Sequence, residues 1–108
     1  EIFLYEGQKI EEKKYTKWFD YDKIKNSPCV RTRRQGDYLT VNSEGGRKKL
    51  NRIFIDEKIP AEMRDRLPVV AAGSEILWIP GGRMNEKYKI TSTTGRVLEL
   101  HYQGGALA

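Results

Sequence analysis

The sequence predicts an α+β domain with a β-layered core and a few short helices. Strand-like runs rich in β-branched and aromatic residues occupy both ends of the chain. Between them, residues 47–57 carry three apolar side chains at the i, i+3, i+4 spacing of one helix face, namely Leu50, Ile53 and Phe54. The length of 108 residues is that of one domain.

The N-terminal half is expected to alternate short strands with turns. The expected strands are Ile2 to Tyr5, an aromatic-rich stretch over 15–21, Cys29 to Arg34, and Tyr38 to Val41. Asp20 is a good helix cap and predicts a helical turn to Ile24. In the third strand, alternation places Val30 on one face and Arg31 and Arg33 on the other.

The C-terminal half is expected to hold two helices and four strands. The first helix runs from Arg47 to about Glu57, and Pro60 fits the first turn of a second helix, Ala61 to Leu67. The expected strands are Val69 to Ala72, Glu75 to Ile79, Tyr88 to Thr91 and Arg96 to Tyr102, with a hairpin joining the last two.

Residue usage excludes several function classes. The single Cys29 rules out an intramolecular disulfide framework and a multi-cysteine zinc site. It is expected to be reduced and partly buried, which fits the cytoplasm. The single His101 is expected to be a half-exposed strand residue. No apolar run approaches the roughly 18 residues of a membrane span, and no signal peptide is recognisable. We expect a fragment of a longer protein because no initiating Met is present.

The positive charge is concentrated in one segment. The formal net charge is +5, and residues 31–52 carry seven Lys and Arg side chains against Asp37 and Glu44. Residues 1–30 and 53–108 each balance to zero. A local excess attracts polyanions, whereas an even scatter would indicate only solubility. From charge alone, a solvated basic face and an anion-binding face are equally good interpretations.

No motif for catalysis is present. The sequence lacks a GxxxxGK[ST] loop, GxGxxG, HExxH, CxxC and Gly-x-Ser-x-Gly. Paired carboxylates such as Asp20 with Asp22 are interleaved with basic residues, which is typical of surface ion pairs. We therefore expect no catalytic residue, metal site or cofactor in this chain.

Two stretches resemble the C-terminal domain of the tRNA(Ile)-lysidine synthetase family. Residues 31–37, which read RTRRQGD, are similar to its R-x-R-x-x-G-D motif. Residues 48–60, KKLNRIFIDEKIP, resemble its K-K-L…F-x-D-x-K-I-P segment, and residues 64–68 match its R-x-x-x-P continuation. The resemblance extends over about residues 29–102.

The resemblance implies a fold and a role. The fold is a layered, β-sandwich-like domain similar to the substrate-binding domain of phenylalanyl-tRNA synthetase. Enzymes of the family are cytoplasmic ligases that use ATP and magnesium to attach lysine to C2 of the wobble cytidine in a tRNA(Ile) with a CAU anticodon. That chemistry belongs to an N-terminal PP-loop domain, expected to lie outside this chain. The C-terminal domain binds tRNA, including the acceptor stem, and the parent enzyme can form a homodimer.

The resemblance also divides the chain and selects residues. Residues 1–28 are expected to form a linker-proximal segment with the first strands, and residues 29–108 the C-terminal tRNA-binding domain. The candidate RNA contacts are the basic residues of the two matching stretches: Arg31, Arg33, Arg34, Lys48, Lys49 and Arg52. Arg34 and Arg52 are included for charge alone. Arginine forks match phosphate oxygens, while Gly36 and Asp37 are expected to shape a turn.

Two other interpretations stay open. A protein-interaction or dimerisation module would present the same basic face to an acidic partner, and would prefer that partner to tRNA. An independent small enzyme would need a pocket with titratable groups of perturbed pKa. The single histidine makes the enzyme the weakest of the three.

Overall fold

Two β-sheets and two short helices organise residues 1–10 and 13–103, the part of the chain that the computed structural model describes. The strands are β1 (Ile2–Leu4), β2 (Thr16–Asp20), β3 (Cys29–Arg31), β4 (Tyr38–Thr40), β5 (Arg47–Lys49), β6 (Val69–Ala72), β7 (Glu75–Trp78) and β8 (Arg96–His101), and the helices are α1 (Leu50–Asp56) and α2 (Ala61–Arg64). Short 3₁₀ turns occupy Tyr21–Lys23 and Glu86–Tyr88. The predicted α+β class is confirmed, while residues 104–108 of the expected C-terminal domain lie outside the described residues.

Strand β8 is the centre of a three-stranded antiparallel sheet with the order β1-β8-β2. Phe3 lies opposite Val97, and Phe19 lies opposite Leu98. The strands from residues 1–28 are thus paired along β8. The predicted hairpin between residues 88–91 and β8 is wrong.

The segment before β8 forms a 3₁₀ turn because its tyrosine packs between the sheets. Tyr88 is 2% exposed, and its hydroxyl donates a hydrogen bond to Glu75. Burial and that hydrogen bond both raise the pKa of Tyr88 above its usual range. A side chain anchored in this way holds the turn against the start of β7, so residues 88–91 do not extend along β8.

The second sheet has five strands in the order β3-β6-β7-β4-β5, so β3 and β5 form its edges. All its pairs are antiparallel except β4 with β7. On one face, α1 contributes Leu50, Ile53 and Phe54 to a core that includes Leu39. The other face packs against the three-stranded sheet around Phe19. The order of layers is therefore helices, five-stranded sheet and three-stranded sheet.

Helix α1 begins at Leu50, three residues later than predicted. Residues 47–49 instead form β5, with Lys48 opposite Leu39 in β4. The Leu50 amide donates to the Asp37 carbonyl at 2.9 Å, where the chain turns from strand into helix. The predicted apolar stripe is confirmed, but pairing with β4 places residues 47–49 in the sheet. Helix α2 is also shorter than predicted and ends at Arg64.

The apolar side chains of strand β3 are exposed to solvent. Cys29 is exposed and Val30 is 62% exposed, so the expectation of a partly buried Cys29 is wrong. The physical reason is that β3 lies at a sheet edge, where Cys29 is exposed although alternation gives it the same face as Arg31. Its inward-facing side chain is Arg31.

Candidate nucleic-acid interface

Arg31 is part of a buried ion pair. Its guanidinium donates to both carboxylate oxygens of Asp37, at 2.9 and 2.8 Å, and to the Gly73 carbonyl at 2.8 Å. The side chains of Arg31 and Asp37 are only 9% and 2% exposed. The hydrogen bonds that Arg31 donates to Asp37 raise the pKa of Arg31. With these donors bound inside the fold, Arg31 has a structural role and offers less free charge to an RNA than an exposed arginine would.

The turn after β3 confirms the interpretation of Gly36 and Asp37. Gly36 has a φ of +91°, in the left-handed region that glycine adopts without steric cost. The Asp37 carboxylate also accepts the Arg34 backbone amide at 2.7 Å. Three members of the R-x-R-x-x-G-D motif therefore build the turn between β3 and β4.

Arg33 bridges three parts of the chain. Its Nε donates to Asp65 at 2.8 Å, and its Nη1 donates to Asn51 at 2.6 Å. The Arg33 side chain is 26% exposed. It joins the turn after β3 to α1 and to the end of α2.

Lys48 and Arg52 share one carboxylate. Lys48 forms an ion pair with Asp56, and Arg52 contacts the same group at 3.1 Å. The hydrogen bond from Lys48 lowers the pKa of Asp56. Asp56 and Asp65 both lie outside the segment 31–52, so the net charge of that segment overstates its free positive charge.

Arg34 and Lys49 remain as exposed cations. Within residues 1–10 and 13–103, neither side chain has a polar partner. Neighbouring Arg47 lies over the Tyr38 ring at 4.7 Å. Because alternate residues of β5 face opposite sides, Lys49 and Arg47 share the face of Tyr38, while Lys48 points towards α1. The candidate contacts therefore divide between two sides of the sheet.

The sequence analysis missed a second group of cations. Lys17 from β2 and Arg83 and Lys89 from the loop before β8 line one cleft with a volume of about 460 Å³. An adjoining cavity of about 260 Å³ shares Lys17 and adds Lys14. The charge count could not show this group, because residues 1–30 and 53–108 each have zero net charge. Only the pairing of β2 with β8 brings the two regions together.

Residues 1–10 and 13–103 contain neither a membrane-spanning helix nor a cluster of metal-ligating side chains. No helix there is long and apolar enough to cross a membrane. Within the same residues, no three His, Cys, Asp or Glu side chains cluster as a metal site would require.

Comparison with known proteins identifies the family. The family model described as "TilS substrate C-terminal domain" matches residues 29–100. The chain belongs to this family of C-terminal domains. The match covers β3 to β8 and includes all six basic residues singled out from the sequence.

Relatives of the TilS family support the same assignment. A protein named tRNA(Ile)-lysidine synthase from Caldanaerobacter subterraneus subsp. tengcongensis is 50% identical over 88 residues, which is 82% of this chain and 19% of that protein. Its namesake in Clostridium tetani is 41% identical over 90 residues, 83% of this chain and 19% of the relative. The chain therefore spans about a fifth of the length of these relatives.

A solved structure of the TilS family has the same fold. The crystal structure of a TilS C-terminal domain superposes with a TM-score of 0.73 at 33% sequence identity. The match covers 94% of this chain and 80% of the other. The fold is thus shared over most of the chain.

Proposed function

We propose that this chain binds tRNA(Ile), at the acceptor stem, as the C-terminal domain of a tRNA(Ile)-lysidine synthase. Membership of the TilS C-terminal domain family supports the proposal. The observation that carries it is the exposure of Arg34 and Lys49, which lie in the family-matched stretches and have no polar partner within residues 1–10 and 13–103. Their charges are free to meet phosphates.

The contacts proposed are to the RNA backbone. Side chains cannot read the deep major groove of duplex RNA, so recognition uses phosphates, 2′-hydroxyls and shape. Arg34 supplies a planar fork and Lys49 a point charge. Lys48 and Arg52 share a single carboxylate, so this pair retains one net positive charge and adds a weaker attraction.

In the parent enzyme, the domain holds tRNA away from the reacting base. That enzyme would ligate lysine to C2 of the wobble cytidine with ATP, in the cytoplasm. We propose that ATP and magnesium bind elsewhere in the longer protein, since the present sequence has no phosphate-binding loop. The catalytic role belongs to the parent and not to these residues.

A second candidate function is dimerisation or another protein interaction. Strand β3 favours it, because this edge strand exposes Val30 with its unpaired backbone side. The basic surface would then meet an acidic protein. tRNA and a protein partner can also be bound by different edges of the same sheet.

A titration with two tRNAs tests the proposal. This chain is titrated with a tRNA(Ile) carrying a CAU anticodon, and with a second tRNA as control, at several salt concentrations. Saturable binding that weakens with salt is expected, because phosphate contacts release counterions. Preference for the first tRNA would place sequence discrimination in this domain, whereas equal binding would make it an electrostatic anchor. Absence of binding at low salt would overturn tRNA binding by this chain and favour the protein-interaction candidate.

A further inference from the structure

A basic cleft lies beside the three-stranded sheet, next to the loop that precedes β8. Its volume is about 460 Å³, within the range of small-ligand sites. An adjoining cavity of about 260 Å³ shares Lys17 and Gly82 with it. The two adjoining cavities together are called the groove. A duplex is too wide for a groove of this size, but one nucleotide fits.

The charge of the groove is positive at two places. Arg83 is exposed and, within residues 1–10 and 13–103, its guanidinium has no polar partner. Lys14 lies at the adjoining cavity with its ammonium 5.5 Å from the Tyr15 ring centre. Glu86, an acidic lining residue, forms an ion pair with Lys89. An anion in the groove would therefore meet uncompensated cations.

Part of the lining of the cleft is apolar. Val41, Met84 and Ile90 line it and are each half-buried. Methionine is unbranched and polarizable, which suits contact with flat ring systems. A ligand that is anionic at one end and flat and apolar at the other matches this division, and a nucleotide has both parts.

The loop that carries Arg83 is held rigidly. The Ile79 amide donates to the Arg83 carbonyl at 2.9 Å, and Met84 forms a β-bridge with Trp78. Buried Asn85 donates to the Ile76 carbonyl at 2.8 Å. Gly81 has a φ of +82°, and a Cβ there would lie 3.0 Å from the Tyr15 ring. A site fixed in advance loses little conformational entropy on binding.

We propose that this groove holds one unpaired ribonucleotide of a bound RNA strand. Its phosphate contacts Arg83 and Lys14, and its base packs against Met84 and Ile90. The proposal rests on the proposed RNA-binding function and adds a single-stranded site to the duplex contacts of Arg34 and Lys49. The groove and those contacts recognise different parts of one RNA.

Two RNAs that differ only by a single-stranded tail provide the test. The chain is titrated with a blunt-ended RNA hairpin and with the same hairpin carrying a short unpaired tail, at one salt concentration. The tail is expected to raise the affinity about tenfold, the size of one well-made nucleotide contact. The Arg83→Glu variant is expected to reduce this ratio to about one.

The matched control is Arg66→Glu, the same change at an exposed arginine that lines neither cavity. It is expected to keep the ratio at about tenfold, even where both affinities fall together. A second readout is the NMR methyl signals of Met84 and Ile90. They are expected to shift with the tailed hairpin and not with the blunt one.

The outcomes separate the two proposals. Equal affinity of the wild-type chain for the two hairpins would overturn the nucleotide site and leave RNA binding intact. A tail effect that survives Arg83→Glu would also overturn it, because the tail would then bind elsewhere. If neither hairpin nor tRNA binds, the proposed function itself fails, and the nucleotide site with it.

Discussion

The carboxylate of Asp37 joins three separate segments through Arg31. It holds the end of β3, the start of β4 and, by way of the guanidinium, the Gly73 carbonyl after β6. Asp37→Ala is expected to lower the free energy of unfolding by about 3–5 kcal/mol, because it leaves a buried guanidinium without its partner. Denaturant unfolding measures this. A loss below about 1 kcal/mol would contradict the structural role given to the pair.

Asn85 is the second residue whose side chain fixes local structure. It is fully buried, donates to Ile76, and accepts the Lys87 amide at 2.9 Å. Asn85→Ala is expected to cost about 1–3 kcal/mol of unfolding free energy, since two backbone groups lose their partner. The measurement is denaturant unfolding, with Asn26→Ala as the comparison, where a smaller loss is expected because Asn26 is exposed and its side chain makes no hydrogen bond within residues 1–10 and 13–103. Equal losses at the two positions would contradict the role of Asn85.

At the scale of the element, β5 and α1 carry most of the basic side chains of the candidate interface. Asp56 neutralises part of that charge by binding Lys48 and Arg52. Asp56→Asn is expected to steepen the salt dependence of tRNA binding by roughly one unit, because it releases one net positive charge for a phosphate contact. The control is Glu44→Gln, which removes an exposed acid that no described cation contacts. Weaker tRNA binding by Asp56→Asn would contradict the placement of these cations at the interface.

The elements that were predicted correctly show a characteristic hydrophobic pattern within their own residues. Strands β6 and β7 consist of apolar and β-branched runs bounded by a Gly73-Ser74 turn, and α1 shows its apolar stripe. Strand β5 has no such pattern. Its sequence Arg-Lys-Lys suits a helix as well as a strand, and pairing with β4 decides between them.

The candidate site was predictable only as a set of residues. The motif and the charge selected the segment, but the partners that occupy its cations lie elsewhere: Asp65 for Arg33 and Asp56 for Lys48. Such pairs depend on how α1 and α2 pack. The groove at Arg83 depends on β2 pairing with β8 across most of the chain, which no local pattern reports.

For the whole molecule, carboxylates that are bound to distant segments predict instability in acid. Hydrogen bonding to Arg96 lowers the pKa of Asp22, and hydrogen bonding to Trp18 lowers the pKa of Glu99. A carboxylate whose pKa is lowered by folding stabilises the fold at any pH above the pKa of the unfolded chain, which is about 4. This stabilisation is lost as the pH falls through the pKa of the folded state. The melting temperature is therefore expected to fall steadily below about pH 4.

Two variants check the origin of that acid instability. Asp22→Asn removes the titrating group and Arg96→Gln removes its partner, so each is expected to flatten part of the pH dependence. The double variant is expected to flatten the pH dependence of the melting temperature no more than either single variant, because both changes act on one ion pair. Additive effects would contradict the assignment to the Asp22–Arg96 pair.

The most direct test of tRNA binding by the exposed cations compares two double variants with the same change in charge. Arg34→Ala with Lys49→Ala removes the two cations that have no polar partner within residues 1–10 and 13–103, whereas Arg33→Ala with Lys48→Ala removes two that are bound to Asp65 and Asp56. The slope of tRNA affinity against salt is measured for both. The first pair is expected to lower the slope by roughly two units and the second by clearly less. Equal slopes, or a larger loss from the second pair, would contradict the exposed cations as the RNA contacts.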